Sequence, residues 1–167
     1  MFDSPLSADL ARERIKDRRR AAGHSEGAVS SELTGALANA SLFALCSKRE
    51  LKLVAKLAKT RTVRAGTTLI TEGEPGDSMF VVLSGTADVR KRNRKIAQLG
   101  SGDVVGELAV LAKAPRNATV VARTDCDVAV IGRREVFNLI EEAPGFSRKL
   151  FEALANRIRE LDQHLVS

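Results

Sequence analysis

Aromatic and metal-binding side chains are scarce in this 167-residue chain, which has no tryptophan, no tyrosine, two histidines and two cysteines. Cupin-type barrels bind metals through histidines on their strands. None lies between Ala28 and Gln163, so that class is disfavoured. His24 and His164 lie near the ends of the chain, where solvent exposure is a better expectation than catalysis. The sequence therefore predicts no metal site.

Motifs of catalysis are missing as well. The chain contains no P-loop, no HxxE or CxxC pattern and no nucleophile elbow. The glycines between Gly66 and Gly85 separate short strand-like runs rather than open a helix, so they do not form a dinucleotide fingerprint. We therefore expect a binding protein that is not an enzyme and has no cofactor.

Long apolar runs and a signal peptide are also absent. No run approaches the ~18 to 20 residues of a membrane span, and the arginines at 18–20 precede a polar stretch instead of an apolar core. Cys46 and Cys126 lie far apart in sequence and are expected as free thiols. With 44% hydrophobic residues, the chain can build one core, so a single cytoplasmic domain is predicted.

Positive charge is concentrated in two places. The formal net charge is +6, yet residues 11–20 carry six basic and two acidic side chains and residues 90–95 carry five basic ones. Such patches can contact nucleic acid, an acidic partner or a membrane surface, although RKRNRK at 90–95 is also typical of a solvated hairpin tip. No aromatic residue interleaves either patch, which argues against binding of single-stranded nucleic acid by base stacking. Nucleic acid is not the expected partner.

The first 28 residues are predicted to form a basic, flexible arm. A helix there would have only Leu10 and Ile15 as an apolar stripe, too little for a core helix. Residues 21–30 are small, polar and glycine-bearing, as in a linker. The folded domain is accordingly expected over residues 29–167.

Short strand-like runs, divided by Gly, Pro, Asp or Asn, occupy the middle of the chain. Seven or eight strands at this spacing indicate a sandwich or barrel. Glycines at 66, 73, 76 and 85 fall where tight turns need positive φ. The predicted strands are Arg61–Ala65, Thr68–Thr71, Met79–Leu83, Ala87–Arg90, Lys95–Leu99, Ala118–Arg123 and Asp127–Ile131.

Helical patterns flank these strands. On the N-terminal side, Ser47–Glu50 has the spacing of a capping box. On the C-terminal side, helices are predicted at Arg134–Glu142 and from Pro144 to about Leu165. Apolar residues of the last helix are spaced 3, 4, 3, 4, which is a seam of about two heptads that either packs on the barrel or joins two chains. Its members are Phe151, Leu154, Ile158, Leu161 and Leu165.

The most informative stretch is VGELAVLAKAPRNATV, residues 105–120. Glu107 begins a short helical turn after Gly106, and free backbone N–H groups at such a turn can bind a phosphate. Arg116 can neutralise a phosphate charge with its forked donors, while ionised Glu107 accepts hydrogen bonds and suits a sugar hydroxyl. A ligand with one phosphate charge and a ribose hydroxyl is expected. The alternative is a plain ion pair between Glu107 and Arg116.

This stretch resembles the phosphate-binding cassette of the cyclic nucleotide-binding domain family, roughly F-G-E-L-A-L-L-x-x-x-P-R-A/T-A. Val105, Val110 and Asn117 depart from that pattern. Upstream segments at 64–85 and 99–107 resemble the family's glycine-punctuated strands and its approach to the cassette, and the resemblance covers about 42–161. The matching positions are Gly106, Glu107, Leu108, Ala109, Leu111, Pro115, Arg116 and Ala118.

The resemblance implies a mainly β fold, a jelly-roll barrel of about eight strands with N-terminal helices and a long C-terminal helix. It implies that Glu107 binds the ribose 2′-hydroxyl and that Arg116 binds the cyclic phosphate. Neighbouring backbone N–H groups complete the phosphate site, and a glycine before Glu107 lets the ribose approach closely. The implied ligand-binding residues are Gly106, Glu107, Leu108, Ala109, Arg116, Asn117 and Ala118.

The base is less strongly indicated. A hydroxyl residue at the position of Asn117 often accompanies the guanine nucleotide in the family, and alanine the adenine one, whereas an amide suits either. We expect cAMP, with cGMP as the alternative. The base could be capped from the last helix by Asn156, Arg157, Asp162 or Gln163.

The leading hypothesis is thus a cyclic nucleotide sensor that acts through an effector protein and dimerises through its last helix, as bacterial regulators of the family do. A catabolite-activator-like transcription regulator is one alternative. That class has a helix-turn-helix after the long helix, whereas this chain stops at Ser167 and leaves only the basic arm for nucleic acid. The other alternative is a docking scaffold that binds no ligand, against which Glu107 and Arg116 argue.

Overall fold

The computed structural model describes residues 26–166, and their side chains from 31 to 162. Helix α1 (Glu26–Ala38) comes first, followed by a 3-10 turn (Ser41–Phe43) and helix α2 (Lys48–Leu57). The predicted linker is therefore wrong over residues 26–30, which are helical. The rest of the predicted arm lies outside the described residues, as do His24 and the side chains of Gln163, His164 and Leu165.

Helix α2 begins with the predicted capping box. The Ser47 hydroxyl accepts a hydrogen bond from the Glu50 backbone N–H at 3.2 Å, and the Glu50 carboxylate accepts one from the Ser47 N–H at 2.9 Å. Glu50 is buried and also pairs with Lys149 of the C-terminal helix. Burial raises the pKa of the Glu50 carboxyl, but the hydrogen bonds from Lys149 and Ser47 outweigh it, so the pKa is lowered overall. This ion pair fastens α2 to the C-terminal helix.

Within residues 26–166, eight strands, numbered β1 to β8 in chain order, form two four-stranded antiparallel sheets in the orders β1-β8-β3-β6 and β2-β7-β4-β5. This is the jelly-roll arrangement that the resemblance implied. Seven predicted strands are confirmed to within two residues at each end, while β6 was missed because two residues show no alternation. The strands are β1 (Lys59–Val63), β2 (Thr68–Ile70), β3 (Ser78–Ser84), β4 (Ala87–Lys91), β5 (Arg94–Leu99), β6 (Val104–Val105), β7 (Thr119–Ala122) and β8 (Cys126–Gly132).

Two apolar clusters stabilise the fold, and β3 contributes to both. Successive side chains of a strand point to opposite faces. Met79 and Val81 therefore pack under the helices, whereas Phe80 lies inside the barrel. In the helix-covered cluster, the rings of Phe43 and Phe146 stack with centroids 6.4 Å apart. The barrel is thereby closed on one side by the helices that precede and follow it.

Helices α3 (Glu107–Ala112), α4 (Arg133–Glu142) and α5 (Pro144–Val166) complete the fold. One face of α5 is buried in the core through Phe146, Leu150 and Ala153, and Leu154 is partly buried there. The idea that the whole heptad stripe packs on the barrel is wrong, because three of its members are mostly exposed. These are Phe151 at 63%, Ile158 at 60% and Leu161 at 64%.

Two further features bear on the sequence expectations. Both cysteines, Cys46 and Cys126, are free thiols, as predicted. Of the helices within residues 26–166, none has the length and apolar character needed to cross a membrane.

Candidate functional site

A cavity of about 250 Å³ opens between the β2-β7-β4-β5 sheet, α3 and α5. One wall comes from the start of α3 and the loop that follows it. The opposite wall comes from the β4–β5 hairpin, through Val89, Lys91, Ile96 and Leu99, and Arg157 reaches the cavity from α5. The structure brings all seven sequence-predicted residues to this cavity, namely Gly106, Glu107, Leu108, Ala109, Arg116, Asn117 and Ala118.

The local backbone explains how a six-residue helix comes to lie at this point. Gly106 precedes α3 with φ +86°, and Lys113 ends it with φ +52°, so left-handed residues bound the helix on both sides. Ala109 and Val110 are buried and anchor α3 to the body of the domain. The first-turn N–H groups of such a helix have no partner within it and remain available to a ligand.

Arg116 is the unusual group of the cavity, because its side chain is buried and has no ion-pair partner among the described side chains. The residue is 8% exposed, and its Nη1 donates to the Gly106 carbonyl at 3.1 Å. Nη2 lies 3.5 Å from the Ser78 hydroxyl, a long contact. Among the described side chains, no carboxylate lies within 4.0 Å of the guanidinium. A buried cation in this state favours a bound anion.

The pKa of Arg116 agrees with this environment. Burial lowers the pKa of the guanidinium, and the more distant Asp77 carboxylate only partly offsets that effect. Arginine nevertheless stays protonated at any physiological pH. The cavity therefore holds a permanent, poorly solvated positive charge.

Gly76 lies directly against the Arg116 side chain. A Cβ atom placed on Gly76 would be 2.0 Å from Nε and 2.2 Å from Cζ of Arg116. The prediction of positive φ is confirmed at Gly66, Gly73 and Gly85 but is wrong at Gly76. Glycine at position 76 instead provides the space in which the guanidinium lies. Sequence alone gave no signal of this contact, because the two residues are forty positions apart.

Glu107 is 9% exposed and pairs with Arg157 of α5, whose Nη1 lies 3.0 Å from its Oε1. The alternative interpretation, an ion pair between Glu107 and Arg116, is therefore wrong. Arg157 also lines the cavity, unlike Asn156 and Asp162, the other base-capping candidates whose side chains are described. Glu107 and Arg116, which are close in sequence, thus line the same cavity but have different hydrogen-bond partners.

The β4–β5 hairpin is a part of the cavity that sequence reasoning missed. Its tip is the predicted turn, with Arg92 and Asn93 at φ +50° and +64°. Lys91 and Ile96, on the two strands beside the tip, also line the cavity. Ile96 was the residue that could have indicated this wall of the cavity, because it is a large apolar residue in a polar edge strand. In the structure Ile96 is 58% exposed.

The family model of the cyclic nucleotide-binding domain matches residues 60–143, half of the chain, and this range contains α3 and Arg116. The chain belongs to the cyclic nucleotide-binding domain family.

The chain is similar to a regulatory subunit of one cyclic-nucleotide-dependent kinase and to another such kinase itself. The domain is 42% identical over 86 residues to a cAMP-dependent protein kinase regulatory subunit of Yarrowia lipolytica, covering 50% of this chain and 23% of that protein. It is 38% identical over 104 residues to the cGMP-dependent protein kinase egl-4 of Caenorhabditis elegans, covering 62% of this chain and 13% of the kinase. The chain thus spans a quarter or less of the length of these two relatives.

A solved cyclic nucleotide-binding domain from Methylobacillus flagellatus shares the fold. It superposes with a TM-score of 0.69 at 27% sequence identity, and the match covers 82% of each chain. The barrel and its flanking helices are therefore those of the family.

Replacement of Gly76 by alanine is expected to weaken nucleotide binding with little effect on folding. The new methyl group displaces the end of a flexible side chain, so we expect the free energy of unfolding to change by less than about 1 kcal/mol. Displacement of Arg116 should raise the Kd for the nucleotide about tenfold or more. Calorimetric titration and thermal unfolding measure the two effects, with Gly35→Ala, where the added Cβ meets nothing within 4 Å, as the matched control. Unchanged affinity in Gly76→Ala would show that the position of Arg116 is unimportant for the ligand.

Proposed function

We propose that this cyclic nucleotide-binding domain is a cAMP sensor that regulates an effector protein. The observation that carries the proposal is that one cavity is lined by both a buried cation and a buried carboxylate. Arg116 is a buried cation without a carboxylate partner among the described residues, and Glu107 is a buried acceptor across the same space. A cyclic nucleotide has one phosphate negative charge and one free ribose hydroxyl, which complement these two groups.

Each proposed contact follows from the chemistry of the side chain. Arg116 binds the cyclic phosphate through its forked N–H donors. Glu107 accepts a hydrogen bond from the ribose 2′-hydroxyl with the carboxylate oxygen that Arg157 does not bind. Backbone N–H groups of Leu108, Ala109 and Ala118 complete the phosphate site, while Gly106 and Asn117 line the cavity beside it.

The base then lies toward the β4–β5 hairpin and α5. Lys91 and Ile96 line that side, and Arg157 is close enough to Glu107 to contact both the sugar and the base. We propose cAMP because several relatives are named cAMP-dependent protein kinase regulatory subunits, at 31% to 45% identity. cGMP is the competing ligand, since the C. elegans kinase is 38% identical.

Calorimetric titration with cAMP, cGMP and AMP tests the proposal. We expect cAMP to bind with the highest affinity and AMP with the lowest, because the open phosphate of AMP carries more charge and has a different shape from the cyclic diester. A higher affinity for cGMP than for cAMP would identify cGMP as the ligand. If neither cyclic nucleotide bound, the proposed sensor function would be wrong. Nucleotide recovered after long incubation should be unhydrolysed, since we propose no catalytic group.

The proposed mode of action is regulatory and cytoplasmic. Binding of the nucleotide adds a second partner to Glu107, which Arg157 of α5 already contacts, so the ligand is linked to the position of that helix. An effector that recognises α5 would respond to this change. The kinases named among the relatives support an effector protein of some kind but do not specify it.

We also propose that α5 joins two copies of the domain in a homodimer. The exposed residues Phe151, Ile158 and Leu161 follow heptad spacing along a face that flanks the core face of α5, an arrangement typical of a helix seam. Leu154 lies between this face and the core.

Substitution of Ile158 and Leu161 by glutamate should convert the dimer to monomer. In a dimer, the two chains would bring four glutamate charges together in the short seam. Their repulsion and the cost of burying them would oppose association. Sedimentation velocity at micromolar concentration measures the shift. The variant Arg148→Glu/Arg159→Glu changes charge at exposed positions of α5 outside the seam and should stay dimeric. A parent protein that sediments as a monomer at high concentration would contradict the seam.

A further inference from the structure

A third basic surface runs along α2 and β1, outside the nucleotide cavity. Residues 48–64 contain seven basic side chains and one acidic one. The acid is Glu50, which is buried and paired with Lys149, so the segment presents no carboxylate to solvent. All seven basic residues are exposed. This basic strip consists of Lys48, Arg49, Lys52, Lys56, Lys59, Arg61 and Arg64.

Within the described part of the domain, no residue of the basic strip has a carboxylate within 4.0 Å of its charged group. The four ion pairs found there involve Lys95, Arg123, Lys149 and Arg157, none of which belongs to the strip. On α2, the three lysines at 48, 52 and 56 are four positions apart and therefore lie along one helix face. The chain then passes into β1, where Lys59 and Arg61 continue the series.

Strand β1 is also an open sheet edge. It is the last strand of its sheet and, among the described strands, pairs with β8 alone. Its first four residues are exposed, and Val63 is buried. An edge of this kind leaves backbone N–H and C=O groups free on one side, which is a template for a further strand. Backbone donors and acceptors therefore lie next to a dense set of positive charges.

The charges determine which strand this edge can accept. A second copy of β1 would bring Lys59 and Arg61 close to their own counterparts, and like charges opposed across a strand pair are destabilising. Residues 1–25 of the same chain carry six basic and four acidic side chains and so also have net positive charge. None of the exposed large hydrophobic residues lies between 48 and 64, so the strip lacks a group to insert into a membrane.

From this combination we infer that β1 and α2 bind an acidic, extended segment of a partner protein. The segment adds to the free edge of β1 through main-chain hydrogen bonds, and its carboxylates pair with Lys59, Arg61 and the lysines of α2. Duplex nucleic acid would use the charges but leave the free backbone groups of β1 without partners. None of the strip residues lines the nucleotide cavity, so the surface is separate from the proposed ligand site.

The test uses the full chain and a fluorescent peptide in which glutamate alternates with threonine or valine. Fluorescence anisotropy should show saturable binding, and Lys59→Glu/Arg61→Glu should raise the Kd about tenfold or more. Arg92→Glu/Arg94→Glu, which reverses two exposed charges at the hairpin tip, should change it by less than about twofold. Both variants should unfold at the temperature of the parent, since all four side chains are exposed.

Two comparison ligands separate strand addition from simple charge attraction. A peptide of the same sequence with alternate backbone nitrogens methylated keeps its charges but loses half of its strand donors, and it should bind about tenfold more weakly. Equal binding of this peptide, or equal binding of the parent peptide to Lys59→Glu/Arg61→Glu, would overturn the inference. A DNA duplex that binds the strip more tightly than the acidic peptide would assign the surface to nucleic acid instead. The absence of any peptide binding would also overturn it.

Discussion

Replacement of Arg116 by alanine is expected to weaken cAMP binding by about 2 to 5 kcal/mol, which is the cost of removing one partner of a buried charge pair. Arg116 is 8% exposed and its Nη1 donates to the Gly106 carbonyl, so the guanidinium is already positioned in the cavity before the ligand binds. Arg116→Lys should recover only part of the affinity, because an ammonium group lacks the fork. Calorimetric titration with cAMP gives the values directly.

The matched control is Arg123→Ala, just beyond β7. Arg123 is exposed and lies near Asp88 and Gln98 on the outside of the sheet, away from the cavity. Its loss should leave cAMP affinity within about 0.5 kcal/mol of the parent. If Arg116→Ala bound cAMP as well as the parent does, Arg116 would not be the phosphate ligand and the proposed function would lose its main support.

The 2′-deoxy analogue of cAMP is expected to bind more weakly than cAMP by roughly 1 to 3 kcal/mol, since it leaves one oxygen of the buried Glu107 carboxylate without its donor. Arg157 binds Oε1 of that carboxylate and limits the loss, so the effect is smaller than for Arg116. Titration of the two nucleotides under identical conditions measures the difference.

The same experiment on Glu107→Gln identifies the group responsible. If Glu107 contacts the 2′-hydroxyl, the difference between cAMP and its 2′-deoxy analogue should shrink in the variant, as a double-mutant cycle requires. A full difference retained in Glu107→Gln would move sugar recognition to another residue. Equal affinity of the parent for both nucleotides would remove the sugar contact altogether.

Local chemistry accounts for the parts of the fold that sequence predicted well. The capping box at Ser47 and Glu50 acts over three residues, and Pro144 begins α5 because its fixed φ suits the first turn of a helix. Strand boundaries followed turn residues and came within two positions. The two-residue β6 is different, since its pairing with Phe80 and Val81 of β3 is what makes it a strand.

Contacts between distant segments could not be obtained in this way. Gly76 has the backbone of an ordinary residue and lacks a side chain because Arg116, forty positions later, occupies the space. Likewise Glu107 pairs with Arg157, fifty positions away, rather than with the arginine in its own loop. Contacts between side chains this far apart in sequence depend on which helices and strands pack together. The periodicity of apolar residues does not specify that packing.

By itself the sequence determined the family, the order of seven strands and of the helices from α2 onward, and the seven residues of 105–120 that converge on one cavity, because short motifs impose local backbone geometry and local charge. Only the tertiary structure decided how the described residues meet. It buries Arg116 with no carboxylate of those residues within 4.0 Å, makes Arg157 the helix residue facing Glu107, and leaves β1 as an open edge beside α2 among the described strands. The physical reason is that burial and ion pairing depend on distances across the fold, and these are fixed when the two apolar clusters pack the helices onto the barrel.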